Sequence, residues 1–206
     1  PLLAWSIRAA LQSSIFTRII LSTDSESYAA IGLEHGAEVP WLRDRKLADD
    51  DASSVDVILD IIRKLGTEGT PCEWITLLQP TSPLRTADDI RDGWRLLQEK
   101  SATSVVGVCA AEHPPQWCNL LPEDLSMKGF IAPEAMAPRQ LLPQYYRVNG
   151  ALYMASAEAL LKHKSFFTPE TYALVMPRER SVDIDSEFDF AIAEALITKN
   201  QTENHG

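Results

Sequence analysis

Apolar positions along this chain fall into two alternating patterns: short, near-continuous apolar runs, and longer stretches in which apolar residues return at helical spacing. The runs Arg18 to Asp24, Ala37 to Trp41, Trp74 to Gln79, Thr103 to Ala110, Ala151 to Ala155 and Thr171 to Met176 predict strands. Helical spacing predicts an opening amphipathic helix with Leu3, Ile7, Ala10 and Leu11 on one face. It predicts further helices over Ser25 to His35, Ser53 to Leu65, Ala87 to Glu99, Ala157 to His163 and Glu187 to Lys199. Within Ser53 to Leu65, the positions Val55, Ile58, Leu59 and Ile62 share a face. Apolar strands that alternate with amphipathic helices imply an α/β fold built on a mostly parallel sheet with helices on both faces.

The alternation breaks between His113 and Arg147, where six prolines (114, 115, 122, 133, 138 and 143) and scattered aromatics replace any clean period. Long irregular stretches in compact domains are usually functional or packed against something else. The expected organisation is therefore one α/β domain, residues 1–112 and 148–200, with a small arm, 113–147, inserted in it. Residues 201–206 read as a disordered tail.

Composition narrows the partners. The 206 residues carry 29 acidic and 19 basic side chains, a formal net charge of −10, which argues against nucleic acid or an anionic membrane as partner. Cys72, Cys109 and Cys118 form no CxxC pair and the histidines show no ligand spacing, so a reduced cytoplasmic protein without structural zinc is expected. No apolar run reaches transmembrane length, and the first residues lack a basic leader.

Chemistry concentrates at the ends of the predicted strands, where open parallel sheets collect ligands. In SVDIDSEFDF, Asp183 and Asp185 stand two positions apart in a β-prone run and so point to one face, with Val182 and Ile184 facing a core. Two hard oxygens that do not enclose an ion suit Mg²⁺, which keeps waters and binds substrate phosphates. The alternative is that Asp185 or Ser186 caps the following helix, with Asp189 in its first turn. LLQPTSPLR presents Gln79, Thr81, Ser82 and Arg85 after a strand, or is a Pro-stiffened turn that starts a helix. In STDS, Asp24 or Ser25 reads equally as an N-cap, and in LRDRKLADDDASS so does Asp51, Ser53 or Ser54. RVNGALY places Asn149 and Gly150 before a strand, where Asn-Gly ordinarily makes a hairpin turn.

Together and in this order, AWSI, STDS, LR…LA.D.ASS, LLQPTSPLR, PRQ.LP…R.NGALY, FF and SVDIDSEFDF resemble the acylneuraminate cytidylyltransferases. The resemblance runs from Pro1 to about Leu196. It implies a Rossmann-like sheet, a dimerisation arm, and transfer of CMP from CTP to the anomeric hydroxyl of a sialic-acid-like nine-carbon 2-keto sugar acid, with pyrophosphate released. It implies Mg²⁺ on Asp183 and Asp185 beside the CTP phosphates. Arg43 and Ser53 match positions at the cytosine end, and Gln79, Thr81 and Ser82 match the turn lining the nucleotide and sugar-acid site. Arg139 matches an arginine that reaches the sugar acid, in some cases across the dimer interface. Arg147, Asn149, Tyr153, Phe166 and Phe167 match the sugar-acid side, although plain packing equally explains the two phenylalanines.

The sequence departs from that pattern in two places. The family begins with a strand and a basic, glycine-rich loop around the triphosphate, and the numbered sequence starts after both, which implies weak CTP turnover and lower stability for the chain as written. Asp44 stands where the family usually has proline. Two other classes of function fit the residues: a non-catalytic nucleotide- or sugar-binding module, and an α/β phosphatase or hydrolase using Asp24 or Asp183 as nucleophile.

Overall fold

The computed structural model describes residues 1–49 and 53–203. Four strands form one sheet: β1 (Trp74–Leu77), β2 (Ser104–Ala110), β3 (Tyr146–Ser156) and β4 (Thr171–Val175), in the order β1-β3-β2-β4. The helices are α1 (Leu2–Ser13), α2 (Glu26–Glu34), α3 (Ser54–Thr67), α4 (Ala87–Glu99), α5 (Ala157–His163) and α6 (Glu187–Glu203). β4 runs parallel to β2, while β3 lies antiparallel between β1 and β2, so three of the four strands share a direction. A fully apolar run reads the same in either direction, which is why the reversed strand left no mark on the pattern.

Side chains alternate across the sheet and feed two cores. Val106, Ala155 and Tyr153 pack with Ile58, Leu59 and Ile62 of α3, Leu160 of α5 and Phe166. Val105, Leu152 and Met154 pack on the other face with Ala9 of α1 and Ile90 and Leu97 of α4. Helices therefore cover both faces, as the alternation of patterns predicts. On α1 the covered positions include Ala4, Ile7 and Ala10, whereas Leu11 stays exposed.

The expected strands at 18–24 and 37–41 reduce to a single parallel bridge between Ile20 and Glu38, closed by Leu21 N–H to Glu38 C=O at 2.9 Å and Glu38 N–H to Ile19 C=O at 2.7 Å. With no further strand beside either segment among the described residues, the ladder does not propagate. The expectation for Asn149–Gly150 is also corrected. They form no hairpin but lie inside β3, where Val106 pairs with Tyr153 and Val108 with Val148, so that residues 149–152 stand opposite the single Gly107. This bulge puts Gly150 at a φ of 71°, a left-handed conformation that glycine adopts without a side-chain clash.

The arm contains three 3-10 turns, Pro115–Trp117, Pro133–Ala135 and Arg139–Leu141, and no helix or strand until β3 begins. α6 continues through Gln201 to Glu203, three residues expected in the tail; residues 204–206 lie outside the described ones. Among the described residues no helix is long and apolar enough to cross a membrane.

Candidate functional site

The β3 bulge builds the centre of the site. A Cβ on Gly150 would stand 2.8 Å from Asp183 Oδ2, 2.9 Å from Gln79 Oε1 and 2.9 Å from Ser82 Oγ. Three oxygens from two separate segments thus surround one small space that only a glycine leaves open. Gln79 and Ser82 come from the turn after β1, and Asp183 from the segment between the 3-10 turn Arg178–Arg180 and α6. Ser82 is fully buried and its hydroxyl donates to Asn149 C=O at 3.3 Å.

The segment carrying Asp183 and Asp185 pairs in no sheet, contrary to its β-prone composition, and bends at Asp185. Ile184 N–H bonds Thr81 C=O at 2.9 Å, tying the segment to the turn after β1 and giving Thr81 a backbone role. Helix capping falls to other residues. Asp189 Oδ2 accepts from Ser186 N–H at 3.0 Å and Ser186 Oγ at 2.6 Å, and Asp189 N–H bonds Ser186 Oγ. Asp183 and Asp185 are left to line, with Asp189, a cavity of about 560 Å³ that also holds Glu112, Arg147 and Arg178. Asp183 Oδ1 is buried without a hydrogen-bond partner among the described residues. A buried carboxylate oxygen left unmatched calls for a cation or donor, and the adjoining amide and hydroxyl oxygens are hard ligands of the kind Mg²⁺ takes. Among the described residues no group of three or more His, Cys, Asp or Glu side chains could hold a metal ion. A cation here would draw its remaining ligands from water and substrate.

Arg147 lines the same cavity, clamped by Glu112 through Nε at 3.1 Å and Nη2 at 3.0 Å. That clamp raises the Arg147 pKa and, with Arg178 at 3.7 Å, holds Glu112 down to about 2. Asn149 lies below the cavity. Its Nδ2 donates to Ser181 Oγ at 2.9 Å and its Oδ1 accepts from Ala151 N–H at 3.1 Å.

A second cavity of about 220 Å³ is lined by Ser54, Val55, Leu77, Gln79, Tyr153, Lys164, Ser165, Phe166 and Phe167. Tyr153 and Phe166 pack with centroids 5.3 Å apart. Phe166 is buried, whereas Phe167 is 61% exposed at the rim. Burial, and secondarily the charge of Asp183, pushes the Tyr153 phenol pKa up. Packing alone therefore accounts for Phe166 and not for Phe167.

Arg43 and Ser53 line neither cavity. The Arg43 guanidinium holds Ser22, through Nε to Oγ at 3.1 Å and Nη2 to the carbonyl. Asp44, where proline was expected, accepts from Lys46 N–H at 3.0 Å and caps the 3-10 turn Arg45–Leu47. Ser53 caps α3 by accepting from Asp56 N–H at 3.1 Å; Asp51, its rival as cap, lies outside the described residues. Ser25, not Asp24, caps α2. Arg139 starts a 3-10 turn in the arm, and its side chain lies outside the described ones.

Sequence reasoning missed Gly150 as a site residue, along with Glu112, Arg178, Ser54, Lys164 and Ser165. For Gly150 a signal existed, since a glycine in a strand pattern marks a bulge or a close approach. Glu112 and Arg178 come together only through the fold.

A family model described as cytidylyltransferase matches residues 1–203. The CMP-N,N'-diacetyllegionaminic acid synthase of Legionella pneumophila is 34% identical over 98% of this chain and 87% of its own length. The pseudaminic acid cytidylyltransferase of Campylobacter jejuni is 30% identical over 97% of this chain and 86% of its own. The N-acylneuraminate cytidylyltransferase of Escherichia coli is 36% identical over 99% of this chain, which spans 47% of that longer protein. Among solved structures, a CMP:2-keto-3-deoxy-manno-octonic acid synthetase complexed with CTP superposes with a TM-score of 0.66 at 12% identity, covering 97% of this chain and 88% of its own. A 4-diphosphocytidyl-2C-methyl-D-erythritol synthase from Anaerococcus prevotii superposes with a TM-score of 0.63 at 10% identity, covering 96% and 89%. These structural likenesses carry the Rossmann-like fold alone.

Proposed function

This chain belongs to the cytidylyltransferase family, and on that premise we propose that it joins CMP from CTP to the anomeric hydroxyl of a sialic-acid-like nine-carbon 2-keto sugar acid, releasing pyrophosphate. The observation that carries the reading is the Gly150 cradle, where Asp183 from the lining of the larger cavity, Gln79 from that of the smaller, and Ser82 converge. The relatives named for legionaminic, pseudaminic and N-acylneuraminic acids support the sugar class.

Transfer at phosphorus asks the protein chiefly to position the reactants and to neutralise charge in line with the leaving group. The larger cavity, with Arg147 and Arg178 opposite Asp183 and Asp185, has the mixed charge that a nucleotide phosphate needs. The smaller one offers an aromatic wall, Tyr153, Phe166 and Phe167, with Gln79 and Lys164 as polar contacts, which suits an acylated sugar acid. Gln79 lines the smaller cavity and meets Asp183, which lines the larger one, at Gly150, so it can orient the anomeric hydroxyl toward the α-phosphorus. Asp183 and Asp185 would hold Mg²⁺, which supplies Lewis-acid neutralisation of phosphate charge when bound. Asn149 and Thr81 act from behind the site, by holding Ser181 and Ile184.

The arm supports association as a homodimer. It exposes Leu120 at 90%, together with Leu125, Met127, Met136 and Leu141. So much exposed apolar surface on one excursion marks an interaction site. Arg139 lies on the same arm, which fits its reaching the partner's sugar-acid cavity. Three free cysteines and a nucleotide substrate fit the cytoplasm.

A pyrophosphate-release assay tests the reading. Release is expected only with CTP and a nine-carbon 2-keto sugar acid together, and only with Mg²⁺. Release from ATP or UTP at the same rate, or release indifferent to the sugar acid, would contradict it. Release of inorganic phosphate from phosphomonoesters would favour the phosphatase alternative instead.

A further inference from the structure

Among the described residues the segment bearing Asp183 and Asp185 belongs to no ladder, and its one backbone–backbone bond to the rest of the site is Ile184 N–H to Thr81 C=O. Its first residue, Ser181, is held through its side chain, which accepts from Asn149 Nδ2 at 2.9 Å and donates to Pro177 C=O at 2.7 Å. Immediately before it, at the end of a 3-10 turn, Arg180 reaches across to the first turn of α4. Its Nε lies 3.2 and 3.0 Å from Asp89 Oδ1 and Oδ2, and its Nη2 lies 2.9 Å from Oδ1. Asp89 is 3% exposed and already serves the α4 capping box, accepting from Thr86 N–H and Oγ1 at 2.9 Å. This single carboxylate joins the start of α4 to the metal-side segment across a sequence separation of 91 residues.

Just before Thr86, the N-cap of α4, Arg85 makes the matching connection to the opposite wall. It is buried, which lowers its pKa to about 10. Its Nη2 donates to Gln79 C=O at 2.7 Å, in the turn after β1, and its Nε to the carbonyl of Ala151, which follows Gly150. Ser6 of α1 also donates to Gln79 C=O, at 3.4 Å. The start of α4 is thus a common base: Arg85 fixes the wall carrying Gln79 and Gly150, and Asp89 fixes the wall carrying Asp183.

We propose that Arg180 and Asp89 are positioning residues that set the Asp183–Asp185 segment at its distance from Gln79 and Ser82, and that the Gly150 cradle is lost when this strut is cut. A buried ion pair is weak evidence for stability, because a packed apolar pair of the same volume serves as well or better. What a bidentate guanidinium–carboxylate pair adds is fixed geometry. Neither Arg180 nor Asp89 lines the cavity, so the pair shapes the site without touching substrate. The consequence for catalysis rests on the transfer reading above; the strut itself does not.

The test compares Arg180→Gln, Arg180→Lys and Asp89→Asn with the wild-type protein by hydrogen–deuterium exchange and by Mg²⁺ titration of turnover. Asp89→Asn keeps an acceptor for the Thr86 cap, and Arg180→Gln alters only the partly exposed partner, so the second variant serves if the first folds poorly. In both, amides of 181–186 are expected to exchange about tenfold faster or more while those of α3 and β2 keep their protection. The Mg²⁺ concentration for half-maximal turnover should rise severalfold with KM for the sugar acid unchanged, and Arg180→Lys should recover part of both effects. Unchanged exchange across 181–186, with or without a fall in Tm, overturns the strut. A wild-type protein with no CTP turnover would sink the functional reading instead, and the exchange data alone would then decide the strut.

Discussion

At the scale of single residues, Gly150 carries the sharpest prediction. A methyl group there would lie within 3.0 Å of three oxygens at a φ of 71°, so Gly150→Ala meets both backbone strain and a filled cradle. The strain alone should cost about 1–2 kcal/mol of stability, readable as a shift in urea midpoint. CTP turnover should fall far more than that loss explains, and an activity loss matched by the stability loss would remove the cradle from the mechanism. Ser53 gives the opposite expectation. Because it caps α3 and lines neither cavity, Ser53→Ala should cost about 1 kcal/mol with little change in KM for CTP. A large rise in KM with stability unchanged would restore it as a nucleotide contact. The sequence pointed to Asp183, Gln79 and Ser82 because strand ends collect polar chemistry. It could not separate Asn149, which works from beneath, from residues that face the cavity, since burial depends on the bulge.

At the scale of elements, the helices were legible because an amphipathic face leaves a 3.6-residue period that nothing else in the sequence imitates. Ala87 to Glu99 and Ala157 to His163 match α4 and α5 residue for residue. β3 was legible only in its apolar half, since Asn149–Gly150 carries the same letters in a bulge as in a hairpin. The bridge at Ile20 shows a β-prone run that finds only one partner. Leu59, on α3, is buried against Val106 and Leu160, and Leu59→Ala should cost about 2–5 kcal/mol in denaturant unfolding. A cost under about 1 kcal/mol would show that this core is not closed as described. The Glu112–Arg147 clamp joins the arm's start to β3 and predicts an acid response. Glu112 is depressed to about 2 in the folded protein, so its contribution is present above the ordinary carboxylate pKa and is lost as pH falls from about 4.5 toward 2. Glu112→Gln should flatten stability in that window and leave it unchanged in slope at neutral pH. An identical pH profile in the variant would mean that the clamp does not persist in solution.

At the scale of the whole molecule, the arm is the feature least legible in sequence and least explained by a single chain. Its prolines announced irregularity, but only the structure shows that Leu120, Leu125, Met136 and Leu141 all face solvent. Sedimentation should give a dimer at micromolar concentration, and removal of residues 126–137 should give a folded monomer with weakened sugar-acid binding. A monomeric intact protein would contradict the arm's assignment. The Arg180–Asp89 contact was equally hidden, because two ordinary surface-type charges far apart in sequence meet only once α4 is laid against the sheet.

The central claim is that Asp183, standing over Gly150, serves transfer of CMP onto a sugar acid. Phosphorus NMR of a reaction containing CTP, Mg²⁺ and a nine-carbon 2-keto sugar acid tests it most directly, with wild type and Asp183→Asn compared at equal Tm. The account predicts a new phosphodiester resonance together with pyrophosphate in the wild type, and formation slowed by at least about a hundredfold in the variant. Equal product formation by the two proteins, or inorganic phosphate in place of the phosphodiester, would contradict it.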